Sequence, residues 1–249
     1  MHDDRAEFAA SQREFALRLS DDADLVHRAF QVQVDAAKHR FTYLWNWLGV
    51  PIIQLPADIV VLQEIIWETR PTVIIETGVA RGGSVVFSAS MLQLLGEGFV
   101  IGIDIDIRPH NRKTIESHPL AHRIHLIEGS SVDAEVVASI KRLVPAGARV
   151  MVILDSLHTH EHVLTELRAY SSLVSPGQFL VVADTGVGVK EAEHLHFDRW
   201  DASNNPLTAL KAFLVESDRF EQDPFYNGKL LMTSSPGGYL RCTKPADRA

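Results

Sequence analysis

Between Pro71 and Asp184 the chain repeats one unit: a short apolar run, a polar turn, then a longer segment of mixed character. The apolar runs are TVIIE, FVIGID, RIHLIE, RVMVILD and QFLVVAD, and SVVFSASMLQLL, DAEVVASIKRL and EHVLTELRAYSSLV stand between them. Apolar runs this short read as buried strands, and the intervening segments carry apolar residues at helical spacing. That alternation specifies βαβ units: a parallel sheet, right-handed crossovers, and helices on both faces. It constrains the fold more than any single motif does.

The flanks depart from the rhythm. PLTALKAFLVES reads as a helix, and KLLMTS and YLRCT as two strands around the turn SPGG. The expected result is a seven-strand mixed sheet closed by a C-terminal antiparallel hairpin. Upstream, REFALRLS and ADLVHRAFQVQVDAAKHRF have loose helical periodicity, so residues 1–40 are expected to form a helical N-terminal cap. Residues 41–249 would form the main α/β domain, in one compact unit with the cap. FTYLWNWLGVPIIQLP reads as an ordered loop, and ADIVVLQEIIWETR as a helix. Residues 185–205 have no clean period, and a loop that long in a compact domain is usually a lid or a binding loop.

Composition removes several function classes. Lys+Arg 24 against Asp+Glu 32 gives a net charge of −8, which does not draw the chain to nucleic acid or to anionic membrane. The single cysteine, Cys242, excludes an intrachain disulfide, and a reducing, cytoplasmic compartment is expected. The first residues lack the apolar core of a secretory signal, and no apolar run approaches the ~20 residues of a membrane span. A homo-oligomer, dimer or higher, is the expected assembly.

The first strand runs into IIETGVARGGS, a glycine loop that opens a helix. It is neither GxGxxG nor a P-loop. Gly78 and Gly82 allow close approach of backbone to a ligand, and Ala80, Arg81 and Ser84 share the loop. Glu76 ends the strand before it; Asp104 ends the second strand, about 20 residues beyond the loop, where an acid hydrogen-bonds a ribose. A pyrophosphate needs helix N–H groups and no carboxylate nearby. Glu76 therefore favours a ligand with an ammonium group and a ribose but no phosphate. S-adenosylmethionine (SAM) fits that description better than NAD. Ser130 and Ser131, after the third strand, are candidates to cap the next helix or to meet an adenine edge.

Asp155 ends the fourth strand and Asp184 the fifth. Neighbouring strands lie ~4.8 Å apart, so the two carboxylates can converge on one hard cation such as Mg²⁺. Thr185 offers a third oxygen. Three histidines follow Asp155 in LDSLHTHEH, but HTHEH is not the HExxH of a zinc site. His158, nearest the aspartates, is the candidate general base; His160 and His162 are expected only to begin the next helix.

These motifs together resemble the cephalosporin hydroxylase family. GVPIIQLPADIVVLQEIIWETRPTVIIETGVARGGS, VIGIDID, LDSLHTHEHVLTEL, YSSLVSPGQFLVVAD and SPGGYLRC carry the likeness, which runs from about Phe41 to Cys242. The resemblance implies a Rossmann-like, SAM-dependent methyltransferase fold, with sugar O-methyltransferases among its members and a similarity to magnesium-dependent catechol-type enzymes. It implies that Asp155 and Asp184 are metal ligands, with Thr185 where the catechol-type enzymes place an asparagine. It puts Glu76, Gly78, Asp104 and Ser131 at SAM-contacting positions. Relatives often have Glu before the second aspartate, where this chain has Ala183. The expected activity is transfer of a methyl group to a hydroxyl of a sugar or glycosylated small molecule. Asp155 then serves cation, cofactor and catalysis together. A catalytically silent SAM-binding scaffold, or a component of a tailoring hydroxylase, is the alternative. Tyr43, Trp45, Gln54, His194, His196 and Trp200 are the candidates to contact an acceptor, with Trp47 as a further aromatic surface.

Overall fold

The computed structural model describes residues 3–188 and 201–246. In chain order its helices and strands are α1 (Arg5–Asp21), α2 (Ala23–Ala37), β1 (Trp45–Trp47), β2 (Val50–Ile52), α3 (Pro56–Thr69), β3 (Val73–Thr77), α4 (Gly83–Leu95), β4 (Phe99–Asp104) and α5 (Pro109–Glu116). There follow β5 (Ile124–Glu128), α6 (Ala134–Leu143), β6 (Val150–Leu154), α7 (His160–Tyr170), β7 (Phe179–Val182), α8 (Pro206–Glu216), β8 (Phe220–Gln222), α9 (Pro224–Gly228) and β9 (Tyr239–Cys242).

Seven strands form one sheet in the order β5-β4-β3-β6-β7-β9-β8. The first five of that order run parallel, and β9 pairs antiparallel with both β7 and β8. Side chains alternate across the sheet as a period of two requires. Val73 and Ile75 of β3 join Val150, Val152 and Leu154 of β6 in one apolar layer. Ile74, Met151 and Ile153 face the other layer, beneath α3 and α4. The chain order reverses between β3 and β6, and a doubly wound sheet opens its ligand crevice at such a switch point.

The two closing strands are not the ones the sequence suggests. Residues 229–234, read as a strand from KLLMTS, are irregular, and Phe220–Gln222 takes the edge position instead. The buried carboxylate of Asp58 explains this: it accepts hydrogen bonds from Thr233 Oγ1 and from the backbone N–H of Ser234 at 2.9 Å. Backbone committed to a side chain in this way cannot also extend a ladder. An antiparallel pair closes the sheet, but α9 and this loop separate its strands, so it is no tight hairpin.

The aromatic segment before α3 is more ordered than a loop. Trp45–Trp47 pairs with Val50–Ile52. Leu48 and Gly49 turn the chain at φ values of 46° and 87°, the sign that a two-residue hairpin turn demands. The N-terminal helices rest on the body. Arg13 lies over the Phe225 ring at 4.9 Å, and Gln33 donates through Nε2 to the Thr233 carbonyl at 2.9 Å. No helix among the described residues is long and apolar enough to cross a membrane.

Candidate active site

The glycine loop between β3 and α4 crosses the carboxyl ends of the central strands and packs directly on the turn after β6. Gly78 sits at φ +90°, and a Cβ built on it would lie 1.8 Å from the Asp155 carbonyl oxygen. A side chain there is excluded by both conformation and space. Asp104 pins the loop from the next strand: its Oδ2 accepts the N–H groups of Val79 at 2.9 Å and Ala80 at 3.0 Å. Asn111 of α5 holds the Ala80 carbonyl at 2.8 Å. Ala80 is left-handed at φ 47°, a strained state for a residue with a Cβ, and these clamps hold it there.

Above this loop a cavity of about 580 Å³ runs across the carboxyl ends of the parallel strands. Gly78, Ala80, Arg81, Gly82, Ser84, Asp104, Ser130 and Ser131, the candidate SAM residues, all line it, as do Asp155 and Gln54. Glu76 does not. It is buried behind the wall, 1% exposed, and reaches the cavity only through Ser84, whose hydroxyl donates to its Oε1. Burial pushes the Glu76 carboxyl up to about 7, against the opposing pull of the Ser84 hydrogen bond. Neither serine caps α6: that task falls to Asp133, which accepts from Glu135 and Val136.

Asp155, His158 and Asp184 each place one ligand atom within 4.8 Å of the others. His158 Nε2 lies 3.5 Å from Asp184 Oδ2. The Asp155 carboxyl is held well above the usual carboxylate range, first by burial and then by the charge of Asp184. A cation between the aspartates would reverse that penalty. Asp184 sits at φ 53°, a left-handed backbone that aspartate tolerates better than most residues. Thr185, by contrast, turns away. Its hydroxyl is fully buried and donates to the Pro236 carbonyl at 2.8 Å, and Thr185 does not line the cavity that Asp155, His158 and Asp184 line.

A second cavity of about 300 Å³ adjoins the first, and the two share Tyr43, Ile53, His158 and Asp184. The charged cluster therefore sits at the junction of a larger and a smaller chamber. Tyr43 and Gln54 line these chambers, but Trp45 does not. Trp45 meets Phe41 edge-on at 5.4 Å, and Trp47 packs edge-on against Phe87 at 4.9 Å, so both tryptophans serve packing. His194, His196 and Trp200 lie outside the described residues.

His162, expected only to begin the next helix, also faces the larger cavity, and Glu166, which the sequence reading did not single out, stands behind it. His162 Nε2 lies 3.1 Å from Ser131 Oγ and 3.5 Å from Glu166 Oε1. Glu166 is fully buried and accepts from Ser156 Oγ at 2.7 Å. Their spacing of one helical turn was the available signal. His160 behaves as expected of a helix start: its N–H donates to Asn204 Oδ1 at 2.8 Å.

The residues suit the groups the family resemblance implies. Two carboxylates satisfy a hard divalent cation. Gly78, Gly82 and Ser84 present backbone and one small side chain to the larger cavity, as close approach to a ligand requires.

Comparison with known proteins gives the family and the fold. The family model described as Rhamnosyl O-methyltransferase/CmcI matches residues 39–243. The chain is similar to the rhamnosyl O-methyltransferase of Mycobacterium bovis, 29% identical over 213 residues, covering 81% of this chain and 82% of the relative. The rhamnosyl O-methyltransferase of Mycobacterium leprae is 28% identical over 204 residues, covering 80% and 84%. Among solved structures, CmcI with Mg-SAM superimposes with a TM-score of 0.57 at 22% identity, covering 81% of this chain and 78% of that one. An O-methyltransferase from Bacillus cereus with SAH gives 0.50 at 17%, covering 85% and 90%. These two likenesses are of fold.

Proposed function

The chain belongs to the rhamnosyl O-methyltransferase/CmcI family, and from that premise we propose that it is a SAM- and Mg²⁺-dependent O-methyltransferase acting on a hydroxyl of a sugar or glycosylated small molecule. The observation that carries this reading is the meeting of Asp155, His158 and Asp184 where two cavities join. The larger is lined by the glycine loop and is sized for the cofactor; the smaller is left for the acceptor.

When bound, SAM supplies an electrophilic methyl group and the cation supplies positive charge beside the acceptor oxygen. Asp155 and Asp184 would hold the cation. The glycine loop, Asp104 and Ser131 bind and orient the methyl donor. His158 accepts the acceptor's proton at Nε2, and Asp184 Oδ2, 3.5 Å away, stabilises the charged ring that results. Tyr43 and Ile53, shared by both chambers, help to shield the junction from water. The rest is positioning: methyl transfer from a sulfonium needs an in-line approach more than a strong nucleophile.

Turnover of labelled SAM on an aryl rhamnoside, with and without Mg²⁺, tests the reading. Asp155→Ala should abolish metal-dependent transfer while SAM binding persists; full activity in that variant would remove the cation from the scheme. His158→Ala should lower turnover about 10²–10⁴-fold with cation affinity retained. A parallel loss of cation affinity would make His158 a ligand instead of the base.

A further inference from the structure

Helix α7 sets His162, Glu166 and Tyr170 along one face, a turn apart. All three bear on the loops that wall the larger cavity. The Tyr170 hydroxyl donates to the Ser131 carbonyl at 2.8 Å, His162 Nε2 lies 3.1 Å from Ser131 Oγ, and Glu166 accepts from Ser156 Oγ at 2.7 Å. Ser131, Ser156 and His162 line the cavity, and Glu166 and Tyr170 stand behind its wall. Glu166 is the costly member. It is fully buried and its Oε2 has no hydrogen-bond partner among the described residues, a burden that an apolar side chain would not bring. Its effect falls on His162. Oε1 stands 3.5 Å from Nε2, and an oxygen that accepts hydrogen bonds favours the tautomer with the ring proton on the nearer nitrogen. Nε2–H then lies between Glu166 Oε1 and Ser131 Oγ, and Nδ1 keeps its lone pair. Nδ1 has no hydrogen-bond partner among the described residues and, unlike Glu166 Oε2, is not buried; the side chain is 17% exposed where it lines the cavity.

We infer that His162 is a specificity residue for the methyl donor: Nδ1 accepts a hydrogen bond from the exocyclic amino group of the adenine, and Glu166 is the positioning residue that keeps Nδ1 an acceptor. This rests on the SAM part of the reading above. Position favours the base over the rest of the donor. In the strand order β5-β4-β3-β6, Asp104 ends β4, Ser131 follows β5, and the cluster of Asp155, His158 and Asp184 lies on the opposite side, beyond β6. A donor with its sulfonium toward that cluster and its ribose at Asp104 carries its base toward Ser131, and His162 is the α7 side chain that meets Ser131. The chemistry agrees. Adenine presents N–H donors at its exocyclic nitrogen, the complement of an acceptor ring nitrogen. Hypoxanthine carries a carbonyl there and would set acceptor against acceptor. Ser131 itself is held twice from α7, by Tyr170 at its carbonyl and by His162 at its hydroxyl, which gives the base a fixed seat.

The test measures binding to the full chain, without turnover, of S-adenosylhomocysteine and of S-inosylhomocysteine, in which hypoxanthine replaces adenine. At about pH 8.5, well above the ordinary range of an imidazole, calorimetry should show the parent binding the adenosyl compound about tenfold or more tightly than the inosyl compound. In His162→Leu that ratio should fall below about threefold, because the acceptor is gone. A substitution that only loosens the site lowers both affinities together and leaves the ratio alone. The role of Glu166 has its own readout. With ¹⁵N-labelled histidine, the ring signals that vanish in His162→Leu should show the proton on Nε2 in the parent, and Glu166→Leu should weaken that bias and lower the adenosyl preference with it. A parent ring protonated at Nδ1, equal affinity of the parent for the two compounds, or a preference unchanged in His162→Leu would overturn the inference and leave the methyl-donor reading standing. A parent that binds neither compound overturns the methyl-donor reading and this inference together.

Discussion

Glu76 shows how one buried carboxyl can cost the fold stability. It is 1% exposed, has one hydrogen-bond donor in Ser84, and its carboxyl is raised from 4.5 to about 7 by burial. The folded protein thus holds this proton more tightly than the unfolded chain does. Stability from this group is complete below pH 4.5, falls as pH rises toward 7, and is flat above. The difference is about 3 kcal/mol. In Glu76→Gln, urea unfolding at pH 5 and pH 8 should show a smaller drop between the two values than the parent shows. Asp58 and Asp155, whose carboxyls are also raised by burial, leave a residual slope of the same sign. An identical pH dependence in parent and variant would assign the whole slope to them. The charges of this site were legible in sequence, because acids at strand ends stand out against apolar runs. Asn111 was not: an amide on a polar helix carries no signal until the fold sets it against the Ala80 carbonyl. The hydrogen bond from Thr185 Oγ1 to the Pro236 carbonyl was not legible either, because only tertiary structure supplies that partner.

At the scale of elements, the site depends on how closely the β3–α4 loop lies on the β6 turn. Gly78 is the point of contact. Alanine there meets two obstacles at once, a φ of +90° and a Cβ 1.8 Å from the Asp155 carbonyl oxygen. The conformational part alone is worth about 1–2 kcal/mol; the clash is with backbone, so relief requires moving Asp155 itself. Gly147→Ala is the matched control, because Gly147 has φ +78° but nothing within 4 Å of the added Cβ. Both variants should lose stability by chemical denaturation, but only Gly78→Ala should also weaken SAM and cation binding. Equal losses of binding, or none in either, would break the link between this contact and the site. The parallel strands were readable because each is an apolar run with a single register. The closing pair was not, since KLLMTS is as apolar as a strand and only Asp58, far away in sequence, diverts it. For the same reason the hairpin of β1 and β2 hid inside an aromatic segment whose turn residue, Leu48, is not a usual one for positive φ.

Across the whole molecule, Asp58 joins parts of the chain that the βαβ rhythm leaves separate. It lies in the first turn of α3, 3% exposed, and receives Thr233 Oγ1, the Ser234 N–H at 2.9 Å and the Tyr239 hydroxyl at 2.8 Å. The loop it organises then reaches the site three ways. Ser234 O accepts from Gly186 N at 2.9 Å, Ser235 Oγ accepts from Asp184 N at 3.3 Å, and Pro236 O accepts from Thr185 Oγ1 at 2.8 Å. The same loop anchors α2 through Gln33. One carboxylate therefore supports both the left-handed backbone of Asp184 and the wall of the smaller cavity. Asp58→Ala strands three buried donors, which should cost about 2–4 kcal/mol. For a chain of this length that lowers the melting temperature by about 5–15 °C. If the loop only fastens the C-terminal strand to the body, the variant that survives folding will bind Mg²⁺ as the parent does, at a temperature well below its melting point. If the loop positions Asp184, Mg²⁺ affinity measured by calorimetry will fall as well, and adding Tyr239→Phe to the parent, which removes a single donor and leaves Thr233 and Ser234 in place, will not reproduce that fall. A weakened fold with unchanged cation affinity would confine Asp58 to a structural role.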